Sequence, residues 1–347
     1  MGIKNLNRFI RETCKQSKNC IQRIHLRELE GKRIAIDISI YLYKYTALIE
    51  NIYLMLSIFK HYGIIPIFIF DGKPPTEKKT LLEQRKTKKV EAEKEYNELK
   101  HELYNNPKND LSPEDKEEIK ASLDLLKRQF IYIKREQIKQ VKELILSYGA
   151  LYYDACGEAD VLCAQLVVSG KVWACMSEDM DLFVYGTSRV LRYFSLMNHT
   201  VVVYHTEQIL KRLNMSQVEF RMICALANND YNVNVNVSKN GTGVVGEFDL
   251  YRIMKLYKHY KNTNRKNMHN EYNEFNESNM VDFYTWFVAN QEENFCKSAD
   301  DLLQKYEMFV LPPIKEDEYA ITMDEENECD YNKLQEILTE HGFVFLT

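Results

Sequence analysis

The sequence predicts an α/β protein built on a largely parallel central sheet flanked by helices. Three observations carry this expectation. Short β-branched runs alternate with segments of helical periodicity through the first half of the chain. Several of those runs end on an acidic residue, and the functional crevice of a parallel sheet lies at the carboxyl ends of its strands. The composition, 45% hydrophobic and 28% charged, suits a folded chain and excludes a disordered one.

Taken in order, residues 32–36 (KRIAI) form the first predicted strand and lead into Asp37. Residues 64–70 (IIPIFIF) form the second and lead into Asp71, and residues 172–176 (VWACM) lead into Ser177-Glu178-Asp179. Two further runs fall at 190–194 and 201–204, and helical patterns separate the runs, as at 52–62 and 138–148. Residues 76–135 break the rhythm. They are highly charged and helix-forming, with an interruption at Asn105-Asn106-Pro107. A second helix is expected from Ser112, whose oxygen suits an N-cap, with Pro113 in the first turn and Asp115 at the capping-box position. So little apolar surface reads, by itself, as a solvated helical hairpin. Beyond 205 the strand signals fade, and residues 206–257 read as short helices around Gly241-Thr242-Gly243. Residues 258–279 hold seven Asn and residues 315–330 hold eight acids against one Lys, so both are expected as loops, before a last helix at 331–341. A length of 347 residues then divides into a core of 1–257 and a C-terminal region of 258–347 that packs on it.

Composition narrows the function. A net charge of −5 does not announce a nucleic-acid binder. The apolar runs are too short to span a bilayer, and the N-terminal stretch MGIKNLNRFIRETCK lacks the apolar core of a secretory signal. The eight cysteines form no Cys-x₂-Cys pair and no zinc spacing with the eight histidines. Free thiols in a reducing compartment are expected, hence an intracellular protein that is neither secreted nor membrane-bound.

Seven acids stand out by position: Asp37, Asp71, Glu158, Asp160, Asp179, Asp181 and Asp230. Each follows a predicted strand or helix or opens a helix, and any one alone would read as a cap or turn residue. Together they describe an oxygen-rich site, because clustered carboxylates repel one another unless cations neutralise them. Such donors select hard ions, Mg²⁺ or Mn²⁺, and two of these can drive phosphoryl transfer. A phosphatase of the type that uses a second Asp two residues after the first is excluded by Ser39.

These residues stand in longer motifs: MGIKNL (1–6), AIDISIYLY (35–43), PIFIFDGKPP (66–75), GEADVLCAQL (157–166), SEDMDLFVYG (177–186) and NDY (229–231). Their content and order resemble the flap endonuclease branch of the XPG family of structure-specific 5′-nucleases, over residues 1 to about 257. The resemblance implies the PIN-like 5′-nuclease fold. It places Asp37, Asp71, Glu158 and Asp160 around one metal ion and Asp179, Asp181 and Asp230 around a second. It gives Gly2 a place where backbone enters the active site and Tyr43 the task of stacking on a base beside the scissile phosphate. The hairpin 76–135 becomes a helical arch passed by a single-stranded 5′ flap. Lys78 and Arg85 become the basic pair at that phosphate, on one face because seven residues make two helical turns. Lys88 and Lys89 become phosphate contacts, and Arg192 matches a basic residue with a role on DNA. Gly241 and Gly243 fall in a helix–two-turn–helix-like region, about 216–257, that grips duplex DNA and often binds potassium.

Departures from the family pattern qualify the expectation. Val244-Val245-Gly246-Glu247 replaces the usual basic residue after the glycines, which leaves K⁺ binding open. The segment between Asp37 and Asp71 is short, which leaves selectivity for a 3′ flap open. His341-Gly342 stands where a sliding-clamp box would have its aromatic pair, so no clamp binding through the C-terminus is expected. The chain is thus expected to be a divergent member, of viral or protist type, working as a monomer in the nucleus or at a viral replication site. The expected activity is Mg²⁺-dependent cleavage of branched or flapped DNA in replication, repair or recombination. A related nuclease preferring junctions, bubbles or RNA, and an inactive DNA-junction scaffold, stay open at this point.

Overall fold

The computed structural model describes the chain apart from residues 1, 16, 18, 45–46, 106–118, 120–121, 124, 128, 228, 230–248, 264–276, 291–297, 315–327 and 346–347. Its centre is one sheet of seven strands: β1 (Ile21–His25), β2 (Arg33–Asp37), β3 (Ile65–Phe70), β4 (Leu151–Asp154), β5 (Ala174–Met176), β6 (Arg189–Ser195) and β7 (Thr200–His205). Their order is β1-β7-β6-β5-β2-β3-β4. The five strands from β6 to β4 run parallel. β7 is antiparallel to β6, because only a short turn joins them and a turn that short can make only a hairpin, and it also pairs antiparallel with β1. The parallel sheet expected from the sequence is therefore its central part. β1 (IQRIH) and β4 (LYYD) were not signalled by the sequence, since both lie at sheet edges and carry short or polar patterns.

The side-chain period of two divides the strands between two cores. Ala35, Ile67, Ile69, Cys175 and Val190 face one core, and Ile34, Ile36, Phe68, Phe70, Met176 and Leu191 face the other. The first core is covered by helices that include Leu6–Cys14, Ala159–Val168 and Gln217–Leu226, and the second by Leu48–His61 and Arg135–Ser147. Both faces are covered, as an all-parallel region requires. Asp37 shares the parity of Ala35, so it points toward the side on which Ala159–Val168 lies. No described helix is long and apolar enough to cross a membrane.

The C-terminal region wraps both cores. Tyr257, Phe283, Phe287 and Tyr306, from helices Leu250–Thr263, Glu277–Asn290 and Ala299–Glu307, join the first core. Leu334, Ile337 and Leu338, from helix Tyr331–Glu340, join the second. The charged segment opens with a 3₁₀ turn, Thr76–Lys78, and continues as a helix over Lys79–Asn105 that ends at the expected break. At 27 residues this helix is about 40 Å long. The hairpin is not wholly solvated. Ala92, Leu123 and Leu126 are buried, and the Tyr96 and Phe130 rings meet edge-on at 5.3 Å, giving it a thin apolar seam. The expected Ser112 cap and most of the Asn-rich and acidic stretches lie outside the described residues.

One buried carboxylate ties the C-terminal region to the core. Glu219 sits at the third position of helix Gln217–Leu226 in a capping box with Ser216. Its other oxygen accepts from the Tyr257 hydroxyl and from Lys261 Nζ at 2.8 Å, both on helix Leu250–Thr263. Burial alone would raise the Glu219 pKa, but the Lys261 ammonium, the Ser216 amide and the Tyr257 hydroxyl pull it below its usual range. Glu219→Ala is expected to cost about 2–4 kcal/mol, because it strands these partners in a buried place. Urea unfolding measures this, and an unchanged midpoint would refute the role.

Candidate active site

Asp37 ends β2, Asp71 follows β3 directly, and Asp179 and Asp181 follow β5. These three strands are adjacent and parallel, so their carboxyl ends bring the acids side by side. Glu158 and Asp160 come from elsewhere, at the N-cap and the second residue of helix Ala159–Val168. A tight crossing of two chain segments brings that helix in. The Gly72 amide donates to the Gly157 carbonyl at 2.7 Å and the Lys73 amide to the Cys156 carbonyl at 3.3 Å. A Cβ on Gly72 would lie 1.9 Å from the Ala155 carbonyl oxygen, so the approach requires glycine. The helix N-terminus then meets the acids, and the Ala159 amide donates to Asp71 Oδ1 at 2.8 Å.

Two serines lace the carboxylates together. The Ser39 hydroxyl donates to Asp71 Oδ2, and the Ser39 amide donates to Asp37 Oδ1 at 3.1 Å. The Ser177 hydroxyl donates to Asp37 Oδ2 at 2.8 Å and accepts from the Asp179 amide at 3.1 Å. The Asp181 amide in turn donates to Asp179 Oδ1 at 3.1 Å. One polar chain thus runs Asp71, Ser39, Asp37, Ser177, Asp179, Asp181. Ser39 and Ser177 were missed as site residues in the sequence. They lie two residues from Asp37 and Asp179, but a serine beside an Asp is too common a pattern to stand out.

Asp160, Asp179 and Asp181 converge most closely, with one carboxylate oxygen from each lying within 4.8 Å of the others. The expected division put Asp160 with Asp37 and Asp71. Asp160 lies close to the pair after β5 and also feels the charges of Glu158 and Asp37. Asp181 and Asp160 are buried, at 0% and 7% exposure. Asp230 lies outside the described residues. Lys78 points into the acids from its 3₁₀ turn, 6% exposed, with Nζ 2.8 Å from both Glu158 oxygens.

Burial pushes the Asp37 carboxyl up to about 7, with repulsion from Asp71 and Asp179 adding to it and the hydrogen bonds from Ser177 and Ser39 opposing it. Burial and the charges of Asp179 and Glu158 hold Asp160 well above its ordinary value despite Lys78. Carboxylates held this close without a cation keep protons. The donor set is all carboxylate oxygen, which fits hard divalent ions and not soft ones.

Other expected residues fall at the rim. Gly2 has φ +76°, and a Cβ there would lie 2.4 Å from oxygens of both Asp179 and Asp181, so backbone does reach these acids. Tyr43 is on helix Ser39–Lys44 and 47% exposed. Lys88 is exposed, and Arg85 is half-buried on the long helix. Lys78 and Arg85 therefore lie on successive elements rather than on one helix face. The Lys89 ammonium sits over two tyrosine rings and donates to a backbone carbonyl.

Arg192, expected on DNA, is buried. Its guanidinium donates to Asn7 Oδ1 at 2.8 Å, pairs with Glu178 Oε2 at 3.1 Å and reaches the Glu178 carbonyl at 3.0 Å. It thereby holds the loop that carries Asp179 rather than facing solvent, since β6 turns its side chain inward. Gln217 and Arg221 act similarly on the short helix Asp181–Tyr185, donating to the carbonyls of Phe183 and Val184 at 2.9–3.1 Å. Gly241 and Gly243 lie outside the described residues.

Residues 1–92 match the XPG N-terminal domain, and residues 149–230 match the XPG I-region. The chain is 30% identical to flap endonuclease 1 of Komagataella phaffii over 276 residues, covering 73% of this chain and 68% of that one. It is 28% identical to flap endonuclease 1 of Leishmania braziliensis over 256 residues, or 67% of this chain. Over that match the chain spans 60% of the length of the Leishmania protein. Among solved structures it superposes on the catalytic core of Rad2 in complex with DNA substrate with a TM-score of 0.60 at 21% identity, covering 98% and 94% of the two chains. It superposes on human GEN1 in complex with Holliday junction DNA with a TM-score of 0.56 at 17% identity, covering 98% and 73%. These likenesses establish the PIN-like 5′-nuclease fold.

The raised Asp37 carboxyl makes a prediction about stability. From the ordinary value of 3.8 up to about 7 the folded chain keeps a proton that the unfolded chain has lost. Without metal, stability should therefore fall as pH rises through this window, by on the order of a few kcal/mol. Thermal melts in EDTA at pH 5 and 7.5 measure it. Asp37→Asn should flatten the slope, and equal slopes in both proteins would disprove the assignment.

Proposed function

The chain belongs to the XPG family, together with the flap endonucleases, and from that premise we propose that it is a divalent-metal-dependent, structure-specific nuclease acting on branched DNA. It cleaves 5′ flaps and trims 5′ ends, within DNA replication, repair or recombination. The observation that carries this reading is the set of six described acids at the carboxyl edge of β5, β2 and β3, with Lys78 buried among them.

In this reading water attacks the phosphodiester in line and leaves a 5′-phosphate and a 3′-hydroxyl. Bound by Asp160, Asp179, Asp181 and their neighbours Asp37, Asp71 and Glu158, hard divalent ions would supply Lewis acidity toward the phosphodiester, with Mg²⁺ the resident ion and Mn²⁺ a substitute. Asp230 completes the set. The chain's own groups do the rest. Lys78, released from Glu158, stabilises charge on the phosphate as it is attacked, and Arg85 does so from the long helix. Tyr43 stacks on the base beside that phosphate. Gly2 lets the backbone lie against Asp179 and Asp181 where a side chain would displace them. The hairpin 76–135 encloses the single strand, and the region around 216–257 holds the duplex, with K⁺ at Gly241 and Gly243. The enzyme works as a monomer, in the nucleus or at a viral replication site.

Two substitutions test this on a labelled duplex carrying a 5′ flap. Asp181→Ala is expected to lower cleavage by at least about 10³-fold while flap binding by fluorescence anisotropy stays within a few-fold. Unchanged cleavage would sink the reading. Lys78→Ala is expected to lower kcat by about 10²–10³-fold with little change in KM, as for a group acting on transition-state charge. EDTA should abolish activity and Mg²⁺ restore it. A panel of flap, gapped duplex, four-way junction, bubble and RNA substrates ranks the preferred structure.

A further inference from the structure

Three segments far apart in sequence meet where the charged hairpin joins the core: Tyr43 on helix Ser39–Lys44, Lys89 on helix Lys79–Asn105, and Tyr132 in the extended stretch before helix Arg135–Ser147. Lys89 Nζ lies 4.8 Å from the Tyr43 ring centroid and 5.6 Å from that of Tyr132. It donates one hydrogen bond to the Ile131 carbonyl at 3.0 Å. The Tyr132 hydroxyl donates to Glu93 Oε2 at 3.1 Å, one helical turn beyond Lys89. Tyr132 is therefore pinned at its hydroxyl end, and the Glu93 charge is engaged by it. Yet the two rings are 50% and 47% exposed.

A buried packing role does not explain this arrangement. Two tyrosines that were merely core residues would lose their exposed area to neighbours. Here both tyrosines stay about half exposed, and one ammonium lies over both rings with two of its three N–H donors beyond the Ile131 bond. A ring face stacks on a nucleobase at about 1–3 kcal/mol per base without regard to sequence. An ammonium takes a phosphate oxygen. The order ring, ammonium, ring repeats the order base, phosphate, base of a single-stranded dinucleotide step.

We propose that Tyr132 and Lys89 extend the Tyr43 stacking position into a subsite for two unpaired nucleotides. One base stacks on Tyr43, the adjacent unpaired base stacks on Tyr132, and Lys89 leaves the rings to hold the phosphate between them. Paired bases cannot present their faces, so the subsite favours a single strand over a duplex. The proposal rests on the nuclease reading above.

The test uses the full chain in EDTA, where no cleavage occurs, with duplexes that carry a 5′ flap labelled with 2-aminopurine at successive flap positions. Blunt duplex serves as the control. Tyr132→Leu is expected to weaken flap binding about 5- to 100-fold, to remove the quenching at one flap position, and to leave blunt-duplex affinity and the melting temperature unchanged. Tyr132→Phe keeps the ring and loses only the Glu93 bond, so it should bind as wild type does. Lys89→Gln should reduce the salt slope of flap binding by about one. The subsite is overturned if Tyr132→Leu binds the flap as wild type does, if it weakens flap and blunt duplex equally, or if Phe weakens binding as much as Leu. Failure of the wild-type chain to bind or cleave flap DNA refutes the nuclease reading instead, so the two failures are distinguishable.

Discussion

The structure depends on keeping mutually repelling carboxylates close together inside a folded core. Asp37, Asp160 and Asp181 are buried, and Asp71, Asp179 and Glu158 press against them. Left alone, such a group would spread apart or stay protonated, and the raised Asp37 and Asp160 show that tension directly. The fold answers with neutral and positive donors on four of these acids: the Ala159 amide and the Ser39 hydroxyl on Asp71, the Ser39 amide and the Ser177 hydroxyl on Asp37, the backbone amide of Asp181 on Asp179, and Lys78 on Glu158. Parallel strand order is the precondition. Only because β5, β2 and β3 end on the same side can one short loop from each deliver its acid to a common point.

The elements around this edge can be understood as supports for it. The tight crossing of Gly72 over Ala155 seats the helix whose N-terminus faces Asp71. Arg192 clamps the loop before Asp179, and Gln217 with Arg221 caps the short helix that begins at Asp181. Glu219 then locks Gln217–Leu226 to the C-terminal helices, so the wrap over the first core reaches the acids through packed structure rather than direct contact. The charged hairpin is attached differently. Lys89 and Tyr132 tie its two legs together beside Tyr43, over rings that remain open to solvent.

Much of this was legible in the residues themselves. The runs that became β2, β3 and β5 are buried on both faces, so nearly every residue in them is apolar and the signal is strong. β1 and β4 escaped because they are short or polar and no residue in either is fully buried. Asp37, Asp71, Asp179 and Asp181 stood out because they follow buried runs, where a charged residue is conspicuous, and Glu158 and Asp160 because they open an apolar helix. The surroundings of Arg192 and Lys89 were not legible for one shared reason. A cation in sequence carries no mark of whether its charge meets a phosphate, a carboxylate or a ring, and only the neighbours brought by other elements decide that.

By itself, the sequence determined the α/β class, the strands at the centre, and the identity of the acids, because hydrophobic period and strand-end position are local properties of a chain. The tertiary structure alone decided that Asp160 stands with Asp179 and Asp181, that Ser39 and Ser177 bridge the carboxylates, and that one lysine serves two tyrosines. Each of these joins residues from separate elements. Such contacts arise when the strands are ordered and the helices laid across them, and no spacing along the chain encodes the crossing itself.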